Sequence, residues 1–155
     1  MIALAAGCSS ASTPTAGPAG DDSASIQGKW KITAITIDGK TTTPEGSEDN
    51  LLQFEGDKMI SIKKGTPKEA GRFTLDPTAK PKQLDITFFV ERTITEKDQE
   101  PKTEQIHQLG KCIYELNGDT LKFAKFITGQ SERRPATLDS AADDGIAVMT
   151  LKRVK

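Results

Sequence analysis

The chain predicts an all-β fold, an eight-stranded antiparallel up-and-down β-barrel, and three observations carry that prediction. Short apolar runs alternate with a period of two residues, the signature of a half-buried strand. The segments between them are rich in Gly, Pro, Asn and Asp and too short to hold helices. Nearly every connection reads as a hairpin to the next strand, without the long crossovers of a Greek key. A closed meander abolishes exposed sheet edges and is favoured over the alternative, a sandwich of the same strands.

The strands follow in order. Residues 30–37 form the first, closed by "DGK", where Gly39 accepts positive φ. Residues 51–55 and 58–63 flank the turn residues Gly56 and Asp57, and 71–75 form the fourth strand. "DPTAKP" then turns the chain, because Pro77 and Pro81 cannot donate to a ladder. Residues 83–90 alternate Leu84, Ile86 and Phe88 against Gln83, Asp85 and Thr87, the clearest period-two pattern in the chain. The charged stretch after it holds a long hairpin tip around 97–102. Residues 106–116 and 120–127 flank "NGD", and 146–154 close the meander.

Composition narrows the partners. Lys plus Arg number 21 and Asp plus Glu 22, with the signs interspersed, so no broad positive field exists to attract phosphate backbones and nucleic acid is not an expected partner. At 155 residues one core suffices, and with 35% hydrophobic residues it should be thin. No apolar run approaches the roughly 18–20 residues that span a bilayer.

Residues 1–25 form a separate segment and 26–155 the barrel domain. Residues 9–25, "SSASTPTAGPAGDDSAS", hold almost nothing large and apolar, cannot offset their ordering entropy and read as a flexible tether. Before them stands "LAAGC", which resembles a bacterial lipobox, with "MIALAAG" as a signal-peptide remnant. The resemblance implies cleavage before Cys8, diacylglycerol on its thiol, outer-membrane sorting compatible with Ser9, and a cell-envelope address. Two acyl chains make a stable anchor, at about 0.8 kcal/mol per buried methylene.

The one tryptophan sits in "GKW", residues 28–30, at the mouth of the first strand. That motif resembles the Gly-x-Trp of lipocalins. Together with "FEGDK", "GRFTLDPTAKPKQLDIT", "YELNGDTLKF", "RPATLDS" and the terminal "LKR", it resembles a lipocalin-like domain family abundant in planctomycete bacteria, over nearly all of 26–155. The family is functionally uncharacterised, so the resemblance implies a fold more than an activity.

Strand parity assigns Trp30 a role of its own. In an up-and-down barrel the last strand lies antiparallel beside the first, and Met149, Leu151 and Arg153 share one face. Arg153 then lies over the indole as a barrel-closing partner, a cation–π contact of about 0.5–2 kcal/mol. The same parity nominates an interior of Ile32, Phe54, Ile60, Ile62, Phe73, Leu84, Ile86, Phe88, Tyr114, Leu121, Phe123 and Met149.

Catalytic chemistry finds little support. His107 and Cys112 lie five positions apart, on opposite faces of a strand, which argues against a Cys–His nucleophile. Cys112 reads as a buried structural thiol and His107 as an exposed strand residue. No phosphate loop, nucleophile elbow, or metal-spaced His/Cys set occurs, and "LDSAADDG" lacks Ca²⁺-loop spacing, so neither metal nor cofactor is expected. The resulting expectation is a non-enzymatic envelope lipoprotein that binds a small hydrophobic or amphipathic ligand within the barrel. Ile32, Phe54, Ile62, Phe73, Ile86, Phe88, Tyr114, Phe123 and Met149 are its candidate contacts. The alternative is a filled barrel whose loops, 91–105 and 128–145, contact another envelope component.

Overall fold

A computed structural model describes residues 18–46, 48–127 and 132–155; the lipobox and Cys8 lie outside these. Among the described residues, helix α1 (Pro18–Ser25) precedes nine strands: β1 (Gly28–Ile37), β2 (Lys40–Thr42), β3 (Asn50–Glu55), β4 (Lys58–Lys63), β5 (Thr66–Asp76), β6 (Gln83–Ile94), β7 (Lys102–Asn117), β8 (Thr120–Phe126) and β9 (Ile146–Arg153). Each strand from β3 to β9 pairs antiparallel with the next, and β9 returns to pair with β1 along Trp30↔Arg153 to Ile37↔Ala147. The result is a closed eight-stranded antiparallel barrel. The three-residue β2 is extra to the predicted set: it continues the edge of β1 opposite Ile35–Ile37, beyond the stretch that pairs with β3.

Two-residue turns set much of the register. Asp38 and Gly39 both take positive φ (49° and 74°), as do Lys64 and Gly65 (48° and 78°), the type I′ pattern that matches strand twist. The Lys64–Gly65 turn starts β5 at Thr66, five residues before the predicted strand. The turn at Gly56–Asp57 makes Glu55 face Lys58 and Phe54 face Met59. Phe54 points inward, so Met59 does too, and Ile60 and Ile62 occupy the opposite face. This corrects the parity expected for β4. Ile62 is buried, but across from Leu51 and Pro67 on the outer side of the wall.

Bulges bend the wall. One lies in β1 between Ile32 and Ala34, where the Thr33 hydroxyl donates to Thr150 O at 3.1 Å, and another at Ala70 in β5, between the pairs Met59↔Gly71 and Ile60↔Glu69. Past the second bulge β5 and β6 part company: their pairing ends at Gly71↔Phe88. A Cβ on Gly71 would lie 2.3 Å from Thr87 O, so only glycine allows this approach. Beyond the split β6 and β7 run on as a two-stranded ribbon to Ile94↔Lys102.

The tether reading does not describe the last part of its segment. Pro18–Ser25 is helical, and the chain after it drops into the barrel end: Ile26 is fully buried and Asp22 is 5% exposed. Within the connection between β8 and β9, Arg134 and Leu138 lie against the barrel. Arg134 pairs with Asp85 at 2.6 Å and donates to Cys112 O at 2.6 Å, while Leu138 packs against an outer cluster of Ile113, Ala124, Ile146 and Val148. That cluster explains why β7, β8 and β9 carry consecutive apolar residues rather than strict alternation: both faces of the wall are covered there.

Candidate functional site

The barrel has a closed end and a mouth, and the sequence builds them differently. At the closed end Trp30 is fully buried, and its indole Nε1–H donates to Ile26 O at 2.8 Å. Arg153, its neighbour across the β1–β9 seam, places its guanidinium 4.2 Å from the ring centroid. The same guanidinium donates to Gln27 O at 2.7 Å and to Ser25 O, and pairs with Asp119 at 3.2 Å. Arg153 therefore ties the entering chain, the indole and the β7–β8 turn together.

A second polar knot lies beside it. Asp22 accepts from the Tyr114 hydroxyl at 2.7 Å and from Lys82 Nζ at 2.8 Å, satisfying a buried carboxylate with one neutral and one charged donor. Burial raises the proton affinity of Tyr114, and its bond to Asp22 raises it further, so the phenol stays protonated. Tyr114 also floors a cleft of about 480 Å³ between the β5–β6 turn and the end of β7, whose other walls include Pro77, Pro81 and Leu116.

Above the knot the interior is packed. Phe54, Phe73, Ile86, Tyr114 and Phe123 join Trp30, Leu84, Cys112, Leu121 and Leu151 in one buried cluster, with Phe54 and Phe73 edge-to-face at 4.9 Å. These five candidate contacts are core. Cys112 lies among them, and burial pushes its thiol up to about 12, far from the thiolate a nucleophile requires. His107 is on the other face, stacked on Phe89 at 4.7 Å on the exposed ribbon. Among the described residues no group of three His, Cys, Asp or Glu side chains is placed to hold a metal.

The remaining candidates, Ile32, Phe88 and Met149, are half-buried and pack on the cluster from the mouth side. Phe88 needs room to lie there, and Gly110 provides it: a Cβ at that position would stand 2.7 Å from Phe88 Cε2. From β8, Lys125 reaches across to Phe88, its Nζ 4.7 Å from the ring centroid. Lys125 sits two positions past the core residue Phe123 and opposite Ala147, hence on the inner face. Sequence reasoning missed it, although "LKFAKF" carries it in phase with Leu121 and Phe123. Asp22 had no comparable signal, because nothing in a Ser- and Ala-rich stretch announces that one carboxylate will find a buried tyrosine. Near the mouth, at the β5–β6 split, a cavity of about 360 Å³ opens between Ser61, Lys63, Lys68, Ala70 and Phe89.

No family model, curated protein or solved structure matches this chain.

Proposed function

We propose that this chain is a non-enzymatic, lipid-anchored binding protein of the cell envelope, whose lipocalin-like barrel takes a small apolar or amphipathic molecule at the mouth opposite Trp30. The observation that carries this reading is the asymmetry of the interior. Trp30, Leu84, Leu121 and Leu151 are fully buried toward the closed end, whereas Ile32, Phe88 and Met149 form a half-buried apolar floor on the mouth side. An apolar floor with a few polar groups around it suits a small ligand. Because the lower barrel is filled, the site is shallow. Soaking the domain with a panel of fatty acids and solvatochromic dyes should raise its melting temperature or displace the dye. A flat response across the panel counts against the mouth as a ligand site.

The lipid anchor and the envelope address rest on "LAAGC", and membership of the lipocalin-like family on "GKW" and the segments that accompany it. Metabolic labelling with an alkyne fatty acid should mark the protein and vanish on Cys8→Ser; label that survives the substitution removes the anchor.

The second reading, a filled barrel that contacts another envelope protein, draws support from the β6–β7 ribbon. There Val90 and Ile106 face each other, both exposed, and Leu109 is exposed as well. A two-stranded ribbon standing alone is marginal in water, which suits an element that gains order on contact.

A further inference from the structure

We infer that the molecule taken at the mouth is an amphipathic anion, a single-chain carboxylate or phosphate, with Lys125 receiving its head group; this rests on the mouth being the ligand site. The first observation is Lys125 itself. The residue is half-buried in the inner register, holds its ammonium 4.7 Å from the Phe88 ring centroid, and has no carboxylate at ion-pair distance among the described residues. A cation withdrawn from water without a counter-charge is costly, and an incoming anion would relieve that cost.

The second observation is the set of cations on the strands that border the mouth. Lys63 and Lys68 follow from Leu52↔Ser61↔Lys68 and Lys63↔Thr66, Lys40 from Ile37, and Arg92 and Lys102 from the phase of Phe88. These five are exposed, unlike Lys125, and Glu69, Glu91 and Glu104 lie among them. Glu91 reaches Lys68 at 2.7 Å and Glu104 reaches Arg92 at 3.1 Å, leaving Lys40, Lys63, Lys102 and Lys125 without an ion pair among the described residues. Unpaired cations near the mouth raise the local concentration of anions. The floor of Ile32, Phe88 and Met149 takes the apolar tail.

Calorimetric titration of the full chain with decanoate, decyl phosphate and 1-decanol tests this. The expected result is that both anions bind at least about tenfold more tightly than the alcohol, the equivalent of one charge-assisted contact. Lys125→Met should abolish that preference without weakening decanol, and Lys125→Arg should retain it. Added salt should weaken the two anions and leave the alcohol unchanged, a readout that needs no variant. The stronger of the two anions identifies the head group. Equal affinity for all three probes, insensitive to salt, overturns the anion inference while leaving a ligand site. Absence of binding by any of the three overturns the ligand site, and the inference with it.

Discussion

Trp30→Ala should destabilise the barrel by about 3–5 kcal/mol, the usual cost of truncating a fully buried aromatic core residue. Trp30 is 0% exposed and closes one end of the barrel, so the void it leaves would be bordered by strands that close on themselves and cannot collapse freely. The substitution also removes the indole donor from Ile26 O and the π face from beneath Arg153. Trp30→Phe separates these terms: it keeps much of the volume, loses the hydrogen bond, and should cost about 1–2 kcal/mol. A cycle with Arg153→Ala isolates the cation–π part, expected at about 0.5–2 kcal/mol. Urea unfolding measures all three. A loss well under 1 kcal/mol for Trp30→Ala would mean the residue is not the plug.

Asp22→Ala should cost about 2–3 kcal/mol. Removing one partner of a buried ion pair leaves the other uncompensated, typically 3–5 kcal/mol, but the Lys82 side chain retains 29% exposure and can turn partly to water. The Tyr114 hydroxyl, in contrast, stays buried and loses its acceptor. Asp22→Asn still offers an oxygen to one donor and should fall between wild type and Ala. If both variants unfold within about 0.5 kcal/mol of wild type, the helix is not held to the barrel by this carboxylate. Amide exchange then reports the docking directly: with Asp22 removed, the amide of Ile26, bonded to Asp22 O at 2.9 Å, should lose protection before the strands do.

The parts of the fold that were legible in the sequence are those with local causes. Short apolar runs bounded by turn residues marked the eight barrel strands, and Gly39, Gly56 and Gly118 marked hairpins where positive φ is required. Trp30 over Arg153 was also legible, because an up-and-down order brings the first and last strands together and parity then decides which side chains meet. The parity of β4 is decidable from the sequence. A two-residue turn at Gly56–Asp57 forces Phe54 opposite Met59, so an inward Phe54 already excludes an inward Ile60. The alternation of "KMISIK" is nearly symmetric in hydrophobicity and hid the contradiction.

By itself, then, the sequence determined strand identity, turn positions and the plugged end, since each depends on a few neighbouring residues or on the order of strands. Only the tertiary structure decided the rest. The bulges at Thr33 and Ala70 shift phase according to how the wall must bend, which no single strand encodes. The helix over the closed end rests on Asp22 meeting Lys82 and Tyr114, residues 60 and 92 positions away. Lys125 likewise meets Phe88 only once β6 and β8 face one space, because contact is set by distance in the fold and not along the chain.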